Sequence, residues 1–131
     1  MQINITTDYA IRAVLRLAQA DEVLSTTKIA EEMNIPGNYL PSIIQKLREA
    51  GIVSVKRGAK GGSSLTKPAG EISLFEVINA MENTTRLNRC LEADAFCSRD
   101  AADYCKVHSA YQKMQDHFDN CMKSLTFADL L

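Results

Sequence analysis

Cys90, Cys97 and Cys105 are separated by six and then seven residues, and His108 follows the third cysteine by three. The stretch from Arg89 to His108 is polar, rich in small residues and poor in periodic apolar positions, so it cannot fold around a core of its own. Thiolates bind metals and react with oxidants. In a reducing cytosol, clustered cysteines read as metal ligands or redox sensors before structural disulfides. Three chemistries are open to this set: an iron–sulfur group, a closed tetrahedral zinc site, or a thiol/disulfide switch. The spacing argues against zinc, which favours paired cysteines two to four residues apart. On a helix, Cys105 and His108 would share a face, and mixed Cys/His ligation suits a [2Fe–2S] centre. The fourth cysteine, Cys121, belongs to an apolar seam and reads as a small hydrophobe rather than a ligand.

The rest of the 131-residue chain must position that stretch. Its length allows one domain, or one small domain with an extension. Residues 1–70 hold nine Lys/Arg against six Asp/Glu (+3), and residues 71–131 hold six against ten (−4), matching the overall −1. A basic front and an acidic back suit a nucleic-acid module joined to a part that does not touch nucleic acid. No run of eighteen apolar residues and no signal segment is present, so a cytoplasmic protein without a membrane partner is expected. No Ser-His-Asp or Cys-His-Asn arrangement, phosphate loop or pocketed carboxylate pair points to an enzyme. A small redox carrier is a remaining alternative, although it would not need the basic ribbon described next.

A first helix is predicted over 6–20, capped by Thr6 or Thr7, with Asp8 in the first turn and a buried stripe of Ile11, Val14, Leu15 and Ala18. A second runs over 25–33 from an Ser25 cap, with Leu24 and Ile29 as a hydrophobic staple and Asn34 ending it. A third carries Leu40, Ile43, Ile44 and Leu47 inward and ends at Gly51. Its predicted cap is Asn38, which leaves Pro41 in the first turn, where a missing N–H costs nothing. Ile52–Arg57, a glycine-rich turn and Ser63–Lys67 form a two-stranded ribbon carrying Lys56, Arg57 and Lys60. Ser73 and Glu76 make a capping box for a helix over 73–82, with an Ile72/Val77 staple and a buried face of Leu74, Val77, Ile78 and Met81. From Tyr104 a long helix places Tyr104, Val107, Tyr111, Met114, Phe118, Cys121 and Leu125 at alternating spacings of three and four, a heptad seam fit to pair with a partner helix. The tail from Phe127 is expected to fold back on this helix.

The fold class is therefore mainly α: a winged helix-turn-helix with a small two-stranded wing and a long C-terminal dimerisation helix. The expected organisation is a DNA-binding domain over 1–83, a cysteine-rich loop over 84–103, and the dimerisation helix and tail over 104–131.

The chain resembles the Rrf2 family of bacterial winged-helix transcription regulators. The resemblance is carried by Thr7-Asp-Tyr-Ala-Ile-Arg12, Tyr39-Leu40, Lys56-Arg-Gly-Ala-Lys-Gly-Gly62 with Leu65, Ile72-Ser-Leu-Phe-Glu-Val-Ile78, the three cysteines and Leu125-Thr-Phe-Ala-Asp-Leu130. It implies a homodimer that binds double-stranded operator DNA, with Cys90, Cys97 and Cys105 holding an iron–sulfur cluster that tunes binding. Two residues compete for the fourth ligand: His108 would imply [2Fe–2S], and Asp8 from the partner subunit would imply [4Fe–4S]. The cysteine spacing is longer than the family's common five and five. The resemblance also places base readers at the start of the third helix, here Asn38, Tyr39 and Ser42, with Gln45 and Lys46 beyond, and a minor-groove contact at Arg57. Pro41 replaces a commonly polar residue and donates nothing.

Overall fold

A computed structural model describes residues 1–131. Its elements are α1 (Ile5–Ala20), α2 (Thr26–Met33), α3 (Leu40–Glu49), β1 (Val53–Lys56), β2 (Gly62–Leu65), α4 (Leu74–Met81) and α5 (Lys106–Ser124), with short 3₁₀ turns at Ala69–Glu71, Arg89–Leu91 and Phe127–Leu130. No helix is long and apolar enough to cross a membrane.

α1 starts earlier than predicted. Asn4, not Thr6 or Thr7, caps it, accepting the Thr6 N–H at 2.9 Å. Thr7 is spent elsewhere: its hydroxyl donates to Glu82 at 2.6 Å, tying α1 to the end of α4. The buried face is also rotated from the predicted stripe. Ala10, Ala13, Val14 and Leu17 are fully inside, whereas Ile11, Leu15 and Ala18 are half-buried. The small Ala10 and Ala13 suit the inner face because α1 is central and must admit α2, α3 and α4 closely.

α2 follows its local signals. Ser25 accepts the Lys28 N–H, Leu24 and Ile29 are both buried, and Asn34 takes the left-handed conformation (φ 52°) that ends the helix. The cap of α3 is Tyr39, one residue beyond the predicted Asn38. The Tyr39 N–H is turned back onto the Pro36 carbonyl (3.0 Å), so the chain is still in a turn at Asn38 and enters the helix only after Tyr39. Pro41 nevertheless stays in the first turn, where its missing N–H is harmless. Gly51 (φ 77°) ends α3 in a Schellman motif: Ile52 N–H bonds Leu47 C=O and Gly51 N–H bonds Arg48 C=O.

β1 and β2 pair antiparallel from Val53↔Leu65 to Lys56↔Gly62, a shorter ribbon than the predicted one. The wing is fastened to the head by reciprocal bonds between Leu24 and Ser63. Gly62 lies at that junction, where an added Cβ would sit 2.1 Å from the Leu24 carbonyl oxygen. Gly62→Ala is therefore expected to cost about 2 kcal/mol or more and to loosen the wing. Urea unfolding checks the first effect, and exchange of the Leu24 and Ser63 amides checks the second. Unchanged stability would mean the wing shifts freely.

α4 carries the predicted capping box between Ser73 and Glu76, with Ile72 and Val77 fully buried. Leu74 is half-buried, short of the full burial expected for it. The tail differs from expectation. Phe127 is 0% exposed in the core of the head, its N–H donates to Ile72 C=O, and the Leu74 N–H donates to Leu125 C=O. A phenylalanine gains more from that core than from lying along a mostly solvated helix.

α5 begins at Lys106 rather than Tyr104, which lies outside the helix and is exposed. Its inward face is not the heptad seam. Gln115, Asp119 and Met122 are buried, whereas Val107, Met114, Phe118, Cys121 and Leu125 face solvent in the single chain. Only Tyr111 of the seam is half-buried.

Candidate metal centre and DNA-reading surface

Cys105 is the N-cap of α5, and its Sγ accepts the His108 N–H at 3.4 Å. The capping geometry sets both side chains at one helix end. Upstream, the 3₁₀ turn at Arg89–Leu91 presents Cys90, whose Sγ accepts from Asn88 Nδ2 at 3.2 Å. Between them, Ala95 and Asp100 adopt left-handed backbone (φ 49° and 51°), turning the chain on either side of Cys97. Backbone N–H groups of Ala101 and Arg99, with the Arg99 charge and the Asp100 N–H, lower the Cys97 pKa from its ordinary value and favour the thiolate.

The loop tip is braced from outside. Arg89 forks onto Asp94, with Nη2 2.6 Å from Oδ2, and its guanidinium lies 5.3 Å from the Phe96 ring centre. The hydrogen bond from Arg89 holds the Asp94 carboxyl down at about 2, and the same contact raises the Arg89 pKa.

These elements frame an open cavity of about 330 Å³ lined by Cys90, Cys97, Cys105 and His108, with Phe96 and Tyr111 supplying apolar wall. All three predicted cysteines and the predicted histidine therefore line one space, and Cys121 lies outside it. His108 Nδ1 is buried and has no hydrogen-bond partner. An unsatisfied buried polar group costs about 1–3 kcal/mol, and a ligated ring nitrogen would not bear that cost. No three His, Cys, Asp or Glu side chains converge on a single point suited to one ion. The donors are spread around a space instead. Asp8 is not brought to the cavity within its own chain; it is partly exposed and pairs with Arg12 at 2.6 Å.

The predicted DNA-reading residues form an exposed surface. Asn38, Tyr39, Ser42, Gln45 and Lys46 lie on the outer side of α3 and its leading turn, and Lys56, Arg57 and Lys60 are exposed on the wing. Two of them also serve the fold. The Tyr39 ring stands edge-on to Tyr9 at 5.5 Å, and Ser42 donates to the Tyr39 carbonyl at 3.0 Å. Gln45 donates to Glu49 at 2.9 Å on the solvent side.

The family model of Rrf2, described as an iron-dependent transcriptional regulator, matches residues 3–131. The chain belongs to the Rrf2 family. It is similar to the transcriptional repressor NsrR of Streptomyces coelicolor, 30% identical over all of this chain and 88% of the relative. It is similar to the transcriptional regulator IscR of an Enterobacter species, 30% identical over 94% of this chain and 75% of the relative. Among solved structures, CymR, the global cysteine regulator of B. subtilis, superposes with a TM-score of 0.79 at 24% identity, covering 99% of this chain and 95% of that one. The five helices and two-stranded ribbon are thus the winged-helix fold of Rrf2 regulators. The protein is a transcriptional regulator rather than an enzyme.

In this Rrf2 protein the structure adds residues that pattern reading missed. Glu82 accepts from both the Asn4 N–H (3.2 Å) and the Thr7 hydroxyl, fixing the start of the cysteine segment to α1. Gln115, Asp119 and Arg86 join the segment to α5. The available signal was Gln115 and Asp119 at i, i+4, off the apolar seam. Such a pair reads as solvated until a tertiary partner is known.

Proposed function

We propose that this Rrf2 protein is a homodimeric, sequence-specific DNA-binding regulator whose operator affinity responds to an iron–sulfur group held by Cys90, Cys97, Cys105 and His108. One observation carries the reading: Cys90, Cys97, Cys105 and His108 line the same cavity. The description of the family as iron-dependent supports it. A space walled by donors suits a group with several metal atoms better than a mononuclear zinc site, whose four ligands must approach one point to about 2.0–2.3 Å. When bound, such a group supplies one-electron redox chemistry and iron sites open to small reactive molecules.

The chain's own residues supply the rest. Asn88 donates to the Cys90 sulfur, and the amides around Cys97 favour its thiolate. A second copy would cover the exposed stripe of Val107, Met114, Phe118 and Leu125 on α5. Two heads would then present Asn38, Tyr39, Ser42, Gln45 and Lys46 to successive major grooves, with Lys56, Arg57 and Lys60 against the backbone or minor groove. Asn is suited to adenine and Ser to several bases. A thiol/disulfide switch on the same cysteines is the second reading, favoured by the lowered Cys97 pKa.

Anaerobic reconstitution with ferrous iron and sulfide, followed by visible spectra of wild type, His108→Ala and Asp8→Ala, separates these readings. The expected result is a coloured wild type, a changed and weaker spectrum in His108→Ala, and an unchanged Asp8→Ala. Loss in Asp8→Ala alone would transfer the fourth bond to the aspartate of a second copy and favour [4Fe–4S]. Colourless protein that loses free thiols on mild oxidation would favour the switch.

A further inference from the structure

Gln115 is 0% exposed in the middle of α5, and every hydrogen-bonding position of its amide except one carbonyl lone pair is used. Its Oε1 accepts the Leu87 N–H at 2.7 Å, while Nε2 donates to the Thr85 carbonyl at 3.0 Å and to Asp119 Oδ1 at 2.7 Å. Bonds to the C=O of residue 85 and the N–H of residue 87 are the pair a neighbouring parallel strand would make. The side chain thus stands in for a strand in a stretch that has no regular structure. Asp119 is also buried and lies 3.4 Å from Arg86 Nη1, so three successive residues of the segment are tied to one helix face.

The consequence lies in where the cysteine loop is anchored. Downstream it joins α5 at Cys105, the helix cap. Upstream it is fastened to the same helix at Gln115, ten positions further along, or about 15 Å of helix rise. Both ends of the loop are therefore referenced to α5. The upstream anchor stands one residue before Asn88 and three before Cys90. We propose that Gln115 is a positioning residue of the candidate metal centre: it sets where Cys90 stands relative to Cys105 and His108, and so how firmly the cavity holds its group. The proposal rests on the cluster reading of that cavity. An apolar side chain at 115 would be buried as well, but only an amide can meet the N–H, the C=O and the carboxylate together.

Three variants test it: Gln115→Leu, Gln115→Glu, and Gln115→Glu combined with Asp119→Asn. Gln115→Glu sets two carboxylates side by side. The double variant exchanges amide and acid: the 115 carboxylate keeps the acceptor for Leu87 and receives a donor from position 119, while the Thr85 carbonyl stays without its donor and Arg86 without its carboxylate. The first readout is hydrogen exchange of the Leu87 amide in metal-free protein. The second is the rate at which anaerobically reconstituted protein loses iron to a ferrous chelator. Gln115→Leu, which removes the acceptor, is expected to exchange Leu87 at least tenfold faster than wild type, both single variants are expected to release iron at least fivefold faster, and the double variant is expected to release iron more slowly than Gln115→Glu. Wild-type iron release in Gln115→Leu and Gln115→Glu would overturn the proposal, and so would faster Leu87 exchange with unchanged iron release. A double variant that releases iron as fast as Gln115→Glu would also count against it, since relief of the paired carboxylates would then have no effect on the cavity. If wild type takes up no iron and sulfide, the cluster reading fails and the positioning role with it, while Leu87 exchange still reports whether the clamp exists.

Discussion

Cys97→Ala is expected to give a folded protein that retains less than a tenth of the iron and sulfide bound by wild type after anaerobic reconstitution. Cys97 sits at the centre of the loop, where backbone amides favour its thiolate, and it lines the cavity with Cys90 and Cys105. Removing one of three thiolates leaves too few anchors for a polynuclear group. The fold should be indifferent, because the side chain lies outside the core of the head. Changes of this kind usually stay within about 0.5 kcal/mol. Cys121→Ala is the matched control. That residue is exposed on α5 away from the cavity, and its loss should leave iron content unchanged. Metal and sulfide analysis alongside thermal unfolding checks both halves, and equal iron in the two variants would remove Cys97 from the ligand set.

The second large effect is expected on α5. Phe118→Glu should convert a dimer into monomers at micromolar concentration and weaken operator binding at least a hundredfold. Phe118 is 43% exposed and Met114 54% exposed in the single chain, and neither belongs to the core of the head, although Phe118 borders a surface cleft with Ile3 and Leu87. The buried attachment is made by Gln115, Asp119 and Met122, about a quarter-turn round the helix. Glutamate at 118 should therefore leave the monomer folded. In a two-fold interface the change occurs twice, burying two carboxylates without partners, at several kcal/mol each. Losing the second head removes half the contacts to a paired half-site operator. Light scattering gives the mass, and binding to operator fragments selected with wild type gives the affinity. A dimer of unchanged affinity would show that the seam is not the interface.

Features encoded within one turn of chain were legible beforehand. Ser25 capping α2, the Ser73/Glu76 box and Gly51 closing α3 each depend on residues at most five apart. The caps of α1 and α3 fall elsewhere than expected for different reasons: Glu82, far away in sequence, occupies the Thr7 hydroxyl, whereas the Pro36 carbonyl, only three residues back, captures the Tyr39 amide in a turn that capping preferences alone do not signal. The grouping of Cys90, Cys97, Cys105 and His108 is legible because cysteine and histidine have few other reasons to cluster. The cavity they line could not, since its walls include Asn88, Phe96 and Tyr111, which nothing in the local pattern distinguishes. The inner face of α5 was hidden for the opposite reason. Its apolar heptads advertise a partner helix, while the polar Gln115 and Asp119 that face inward resemble solvated residues until Thr85 and Leu87 arrive beside them. Phe127 was assigned to α5 by proximity in sequence and instead fills the core beside Ile72.

The central claim is that one cavity, walled by Cys90, Cys97, Cys105 and His108, holds an iron–sulfur group. The most direct measurement is iron, acid-labile sulfide and zinc per chain in protein purified without air, read with its visible absorption. Iron and sulfide in equal amounts, with absorption in the visible, are predicted. One zinc per chain with no sulfide and no colour would contradict the account.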